Sequence, residues 1–263
     1  MEADFVRLWP SMGGTPAIDR DSVVILPLAA TEQHGPHLPM STDVDIGWGL
    51  LVRAFRSLPA HVPAWALLPK TVGASVEHSR FPGTLSISTE QLIGEIVEQG
   101  VELAGRGVRR LVLSNSHGGN RHAMDAAGLR LRNEHGMLVV KANYFRFDRP
   151  TGVSLPDTEW RHGLHGGAVE TAMMLYLHPE HVLEDSVKDA PSFGLELERT
   201  MRRLGPEGQA SFAWMAGDLH PTGVTGDARL ATARMGEQLV NHYGTALADV
   251  IQDAHEFPID RLG

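Results

Sequence analysis

The sequence predicts an α/β fold in which a mostly parallel central sheet is covered by helices on both faces. Short apolar segments rich in β-branched residues alternate with segments of helical periodicity, which is the pattern of repeated βαβ units. The apolar segments are continuous, as in strands that are buried on both faces. No long linker, repeat or low-complexity segment divides the 263 residues, so we expect one domain over residues 1–263.

Four segments have the composition of buried strands. Each is a short, mainly apolar run between polar or turn-forming residues. The predicted strands cover residues 22–30, 64–74, 108–115 and 137–145. Ligands of open parallel sheets gather beyond the carboxyl ends of the strands. Residues that directly follow these segments are therefore the first candidates for a functional site.

The clearest predicted helix covers residues 88–107. It begins with a capping-box pattern, Ser88 to Gln91, and glycines suit its C-terminal stop. Further helices are predicted from about Asp45 to residue 57, from about Asn120 to residue 134, and over residues 231–254. We expect Asp45 and Asn120 to cap the helices that they open.

Charge and cysteine content narrow the function classes. The formal net charge is −9 and the basic residues are scattered, so we expect no nucleic-acid partner. The absence of cysteine excludes disulfides, cysteine-based zinc sites and thiol nucleophiles. A bound metal must therefore be held by histidine, carboxylate or other oxygen ligands.

The beginning of the sequence lacks a targeting signal. The segment MEADFVRLWPSM has no basic region followed by an apolar run, and no apolar run in the chain reaches membrane-spanning length. These observations predict a cytoplasmic protein without a membrane partner.

The segment TEQHGPHLPMSTDVDI, residues 31–46, follows the first predicted strand and contains three candidate metal ligands. Glu32 and His34 are two residues apart, so in an extended chain their side chains point to the same side. Asp43 can return to that side because glycine and proline shape the intervening loop. The alternative is a polar surface loop, and the segment alone does not decide between the two.

Two further segments repeat this combination of histidine and glycine. His117 directly follows a predicted strand in SNSHGGN, and HGLHGGAVETAMML contains His165 and, at the head of an apolar helix, Glu170. Taken separately, the glycines can be simple turns, the histidines loop residues and Glu170 a charge that favours the helix dipole. One shared metal site explains all three segments together.

These segments resemble the successive motifs of the creatininase (creatinine amidohydrolase) family. TEQHGPHLPMSTDVDI, FPGTLSIST, NSHGGN and HGGAVETAMML appear in the order typical of the family, and GVTGDARLATARMGEQLV continues the similarity. The resemblance implies a three-layer α/β/α sandwich, assembly into hexamers and a hydrolytic centre with two divalent metal ions. It also implies a small-molecule amide substrate.

The resemblance also implies a set of metal ligands. Glu32, Asp43 and His117 would hold one ion, and His34 and Asp43 the second, so that Asp43 bridges the pair. Mixed carboxylate and imidazole ligands suit zinc, manganese or iron. Two such ions close together activate water and polarise a carbonyl group.

One position departs from the namesake of the family. Creatininase carries a metal-binding glutamate two residues after the histidine that matches His117, and this chain has Gly119 there. Glu170 is the candidate replacement, with a role in orienting a ligand histidine as the alternative. The departure also suggests that Gly119→Glu restores a second site of the namesake's kind.

The remaining expectations concern catalysis and substrate. The resemblance makes His165 a proton shuttle, and Glu170 is the second candidate catalytic residue. A structural role in the glycine turn is the alternative for His165. Glu77, His78 and Trp160 match or lie near the substrate side of the family's site. The tryptophans that flank creatinine in the namesake have no clear matches, which argues against creatinine as the substrate.

Two functional hypotheses follow. The first is a metal-dependent amidohydrolase that cleaves a non-standard C–N bond, in an amide, a cyclic amide or a formamide. The HGGN and FPGTLSIST segments are also similar to those of mycofactocin-type peptidases and formamide hydrolases, so trimming of a modified peptide is an alternative. The second hypothesis is a non-catalytic metal-binding oligomeric scaffold.

Overall fold

The computed structural model describes residues 5–10 and 17–262, and a four-stranded parallel sheet forms its centre. The strands of this sheet are β1 (Val23–Leu28), β2 (Ala64–Ala66), β3 (Arg110–Asn115) and β4 (Leu138–Asn143). They lie in the order β2-β1-β3-β4, and every neighbouring pair is parallel. Residues 1–4, 11 and 12 of the segment without a targeting signal lie outside the described residues.

Outside the central sheet, the described residues form α-helices, short 3₁₀ turns and four two-residue strands. The short strands are β5 (Asp189–Ala190), β6 (Leu204–Gly205), β7 (Ala210–Ser211) and β8 (Gly226–Asp227). The helices are α1 (Thr42–Ser57), α2 (Thr89–Gly105), α3 (Arg121–His135), α4 (Asp157–His162), α5 (Ala168–Leu177), α6 (Phe193–Thr200), α7 (Ala216–Leu219) and α8 (Ala233–Glu256). Within the described ranges, no helix is both long enough and apolar enough to cross a bilayer.

Alternate residues of β1 face opposite helical layers. Val24 and Leu26 pack in an apolar cluster with side chains of α2 and α3, whereas Val23 and Ile25 pack with side chains of α1 and α8. All four are at most 1% exposed, so burial of both faces explains why the segment is continuously apolar. The predicted α/β fold, with a mostly parallel sheet between two helical layers, is confirmed.

A third apolar cluster joins α5 to the layer formed by α1 and α8. Ile46 and Leu50 of α1 pack with Met173 of α5 and with Leu239 and Tyr243 of α8. This packing fixes the start of α5 relative to the start of α1, and both starts carry predicted site residues.

The predicted caps of α2 are confirmed. The Oγ of Ser88 accepts a hydrogen bond from the backbone nitrogen of Gln91 at 3.1 Å, and the Gln91 side chain accepts one from Ser88 at 3.0 Å. The helix ends at Gly105, and Gly107 has φ +91°, a left-handed conformation that terminates helices.

The side-chain caps predicted for α1 and α3 are wrong. Helix α1 begins before Asp45, at Thr42, and Asp45 lies in its first turn, where it accepts a hydrogen bond from Ser41. Asn120 does stand at the start of α3, but its side chain binds the backbone of Ala29 and Ala74 instead of capping the helix. Its amide thus ties the turn after β3 to two neighbouring loops.

Candidate metal centre and active site

The predicted ligands converge beyond the carboxyl ends of β1 and β3. Glu32 and His34 follow β1, His117 follows β3, and Asp43 lies in the first turn of α1. All four are at most 3% exposed. Since a helix N-terminus favours negative charge, the start of α1 suits the buried carboxylate of Asp43.

The first group of ligand atoms consists of Glu32, Asp43 and His117. The Nδ1 of His117 lies 3.2 Å from Oε1 of Glu32 and 3.2 Å from Oδ2 of Asp43. The other ring nitrogen, Nε2, lies 3.1 Å from the carbonyl oxygen of Ala74 and must donate to it. In the neutral ring this leaves Nδ1 as a bare acceptor facing two carboxylates.

The second group consists of His34, Asp43 and Glu170. The Nε2 of His34 lies 3.3 Å from Oδ1 of Asp43 and 3.9 Å from Oε2 of Glu170. Its Nδ1 donates to the carbonyl oxygen of Glu32 at 3.1 Å. The two oxygens of Asp43 therefore face different groups, which is the geometry of a bridging carboxylate.

Unpartnered polar atoms are concentrated in these groups. Among the described residues, the buried side-chain nitrogens and oxygens without a hydrogen-bond partner are both Glu32 oxygens, His34 Nε2, Asp43 Oδ2 and, elsewhere, His162 Nδ1. Ligand atoms bound at about 2.0–2.2 Å to one ion lie roughly 3–3.5 Å apart. The distances from His117 to Glu32 and Asp43 and from His34 to Asp43 fall in that range, whereas that from His34 to Glu170 does not. These residues fit binding of a divalent metal.

Electrostatics also favour positive charge in the cluster. Burial lowers the pKa of His34, but the neighbouring Asp43 carboxylate outweighs burial and raises it to about 9. The pKa of His117 is raised well above its usual value, against burial, by Glu32 and Asp43. Without a metal ion, protons on these rings supply the positive charge, and metal binding must displace them.

His165 and His78 lie beside Glu32. The His165 ring lies between the rings of His34 and His78, with centroids 4.1 Å away on each side and interplanar angles of 35° and 36°. Its Nε2 donates to the carbonyl oxygen of Gln33 at 2.6 Å, and its Nδ1 lies 3.7 Å from Oε1 of Glu32. Burial lowers the pKa of His165 well below its usual value, so the ring is neutral.

Glu170 is held in place from two sides. Its Oε2 accepts a hydrogen bond from the backbone nitrogen of Gly166 at 2.6 Å, and its Oε1 accepts one from the Tyr144 hydroxyl at 3.3 Å. Burial raises the pKa of Glu170. The side chain is oriented toward His34 but is too far from it for a hydrogen bond.

Sequence reasoning missed Glu159, a buried carboxylate that organises the start of α5. Its Oε1 accepts from the backbone nitrogen of Ala168 at 2.7 Å, and its Oε2 from that of Asp227 at 2.8 Å. A Cβ at Gly163 or Gly167 would lie 2.4 Å or 2.6 Å from Oε1. The glycines of HGLHGG thus make room for this carboxylate, and their spacing was the only sequence signal for it.

A side chain at Gly119 would overlap neighbouring atoms of the site. A Cβ there would lie 2.2 Å from the carbonyl oxygen of Ala74, 2.5 Å from Oε1 of Glu77 and 2.6 Å from Nε2 of His117. Gly119→Glu therefore requires the segment around residues 74–77 to shift, and restoration of a second site of the namesake's kind stays a prediction.

A cavity of about 630 Å³ opens onto the cluster. Glu77, His78 and Trp160, the predicted substrate-side residues, all line it. Glu77 lies 3.6 Å from Nε2 of His117, and burial raises its pKa. His78 is 2% exposed and lies 3.5 Å from Glu32, so most of its surface contacts the protein. Burial lowers the pKa of His78 to about 4.

Comparison with known proteins gives a consistent result. A sequence profile described as creatinine amidohydrolase matches residues 9–251. The chain is 35% identical over 239 residues to a mycofactocin precursor peptide peptidase of Mycolicibacterium smegmatis, covering 88% of this chain and 84% of the relative. It is 34% identical over 187 residues to a creatinine amidohydrolase of Pseudomonas putida, covering 65% and 70%.

A solved structure titled as a manganese form of creatininase has a TM-score of 0.69 and 29% identity to this chain, covering 90% of it and 92% of the other. Together with the carboxylate and histidine cluster, this similarity supports binding of a divalent metal. The profile match spans nearly the whole chain. The chain therefore belongs to the creatininase family, a family of hydrolases that act on carbon–nitrogen bonds.

Proposed function

We propose that this protein is an amidohydrolase that uses two divalent metal ions to activate water for hydrolysis of a non-standard C–N bond. The observation that carries the proposal is the position of Asp43: its Oδ1 faces Nε2 of His34, and its Oδ2 faces Nδ1 of His117. A pair of divalent ions there supplies Lewis acidity for water activation and carbonyl polarisation. Zinc, manganese and iron all suit these ligands.

Glu170 is proposed as a direct ligand of the second ion. In the alternative role, Glu170 orients a ligand histidine by accepting a hydrogen bond from the ring nitrogen that does not bind the metal. In His34 that nitrogen is Nδ1, which already donates to the Glu32 carbonyl oxygen. Oε2 of Glu170 instead faces Nε2 of His34 at 3.9 Å, which supports coordination of one ion by both residues.

His165 is proposed as the proton shuttle. Its Nε2–H is committed to the Gln33 carbonyl oxygen, so Nδ1 is the acceptor, and the ring is neutral. A neutral imidazole beside the cluster accepts a proton from the attacking water and transfers it to the leaving nitrogen. Glu77 and Trp160, on the cavity wall, are proposed to contact the substrate.

A modified peptide is the second candidate substrate. The cavity of about 630 Å³ is far larger than a small cyclic amide requires. The relatives with the longest matches at 35% identity are mycofactocin precursor peptide peptidases. Both observations favour a substrate that extends beyond the reacting bond.

The assembly and location of the protein remain proposals from the family resemblance and the sequence. We propose a homohexamer in the cytoplasm. Mass measurement by light scattering coupled to size-exclusion chromatography tests the assembly, and a mass of one or two chains contradicts it.

The test of the proposed function is metal content per chain, measured by elemental analysis, beside hydrolysis of creatinine, formamides and short peptides. We expect two equivalents and turnover of one class. Asp43→Ala should lose both equivalents and all activity, since it removes the shared ligand. Asp45→Asn, in the same helical turn but outside both groups, is the control and should keep both.

Two outcomes contradict the proposal. Full metal content in Asp43→Ala would mean that Asp43 is not a bridge. Bound metal with no hydrolysis of any compound, and no change in reactivity in His165→Ala, would favour the non-catalytic scaffold.

A further inference from the structure

Three arginines among the described residues line the cavity, and Arg161 is paired with Glu198. The other two lie outside the groups of metal ligands. Arg121 and Arg146 both face the carboxylate of Glu207, which also lines the cavity. The two terminal nitrogens of Arg121 lie 2.6 Å and 3.3 Å from the two Glu207 oxygens, and a nitrogen of Arg146 lies 3.8 Å from one of them. Two guanidinium groups thus share one carboxylate, which leaves surplus positive charge on this wall.

The Arg121 guanidinium is anchored near the metal cluster. Arg121 is the first residue of α3 and follows the turn that begins at His117. Its Nε donates to the carbonyl oxygen of Gly118 at 3.0 Å. A group bound by Arg121 therefore lies beside the turn that carries a proposed ligand.

Another carboxylate can take the place of Glu207 beside the guanidinium groups of Arg121 and Arg146. It lies in the turn between the two-residue strands β6 and β7, next to Gly208, around which there is open space. The side chains of Arg121 and Glu207 are 27% and 34% exposed. Because replacement exchanges one arginine–carboxylate pair for another, a second carboxylate can take the place of Glu207 at low cost.

From this arrangement we infer that Arg121 and Arg146 form a carboxylate subsite, which Glu207 occupies when no substrate is bound. The planar fork of arginine matches the two oxygens of a carboxylate. The substrate class is then an amide that carries a free carboxylate, either at a peptide C-terminus or on a side chain. The inference rests on the proposed function, because it concerns the same cavity.

The test is a calorimetric comparison of matched ligands on the metal-loaded protein. The probes are N-acetyl-alanyl-alanine with a free C-terminal carboxylate and the same compound as its C-terminal amide. We expect the free acid to bind about tenfold more tightly. A third probe, an amidated peptide with a glutamate side chain, distinguishes a side-chain carboxylate from a terminal one, and Arg121-dependent binding of either supports the subsite.

Variants separate the subsite from direct binding to the metal ions. Arg121→Gln should abolish the preference for the free acid while leaving the affinity for the amide unchanged, and Arg146→Gln should do the same to a smaller extent. Glu207→Gln should strengthen binding of the free acid several-fold, because it removes a competing charge. Arg130→Gln, on the same helix but paired with Glu134 outside the cavity, is the control.

The inference is overturned if neither the free acid nor the glutamate probe binds more tightly than the amide, or if the preference persists in Arg121→Gln. Because binding is measured without turnover, this failure is distinguishable from failure of the proposed function. An Arg121-dependent preference in a protein that hydrolyses no amide contradicts the hydrolase and not the subsite.

Discussion

The cluster around Asp43 and the wall around Glu207 belong to one cavity but are built in opposite ways. Every ligand in the cluster is attached to the end of a sheet strand or the start of a packed helix, and the ligand atoms are buried. The wall depends on a turn between two-residue strands and on ion pairs that are partly exposed. The difference fits our proposals, in which the core fixes the chemistry and an adjustable turn selects the substrate.

Among the variants that test this contrast, the largest loss of stability is expected for Gly119→Ala. Gly119→Ala should lower the free energy of unfolding by about 1–3 kcal/mol and weaken metal binding, because the new Cβ overlaps Ala74 and Glu77. Gly118→Ala is the matched control, since nothing lies within 4 Å of a Cβ there. Chemical denaturation measures both, and equal stability of the two variants would mean that the cluster tolerates repacking.

Glu159→Gln should have the next largest effect, about 1–2 kcal/mol on unfolding, because an amide group cannot accept from both backbone nitrogens. We expect the second metal equivalent to be lost first, since Glu170 lies on the helix that Glu159 anchors. Titration of metal into the chelated protein checks this. Asp157→Asn, an exposed position in the same short helix, should bind both ions normally, and simultaneous loss of both ions in Glu159→Gln would contradict the selective effect.

The pH dependence of the metal-free protein should be moderate. The folded pKa of His34 is about 9, above its ordinary 6.5, and that of His117 is raised as well. The stabilisation from the protonated His34 ring is complete below pH 6.5 and is lost as the pH rises through about 9. That from His117 is likewise lost only above the usual histidine range. The melting temperature of chelated protein should therefore fall between pH 6.5 and about 9, whereas that of metal-loaded protein should not. A flat profile without metal would contradict the charged rings.

The smallest effect is expected at the wall. Glu207→Gln should change the free energy of unfolding by less than about 1 kcal/mol, because its ion pairs are partly exposed. Thermal unfolding in low and high salt measures this. A loss as large as that of Gly119→Ala would mean that the turn is part of the structural core.

The fold and the cluster could be predicted from the sequence because their signals are local. A buried strand such as β1 is a continuous apolar run, and ligands that directly follow strands inherit their positions from the sheet. The bridging role of Asp43 came from the resemblance, and spacing alone left a surface loop as an alternative. The wall could not be predicted: Arg121 and Glu207 are 86 residues apart, and only the tertiary structure brings them together. Glu159 escaped notice for the same reason, as its partners are backbone nitrogens.

The two groups of ligands share Asp43 but draw their other residues from different parts of the fold. Glu32, Asp43 and His117 are all attached to the sheet or to α1, whereas the second group takes Glu170 from α5. Displacement of Glu170 would open the second group and leave the first intact. We therefore expect the ions to differ in residence time, with the first ion retained through purification and the second exchanging with the medium. The identity of the second metal would then follow its supply, and preparations of one protein can contain mixed metal pairs.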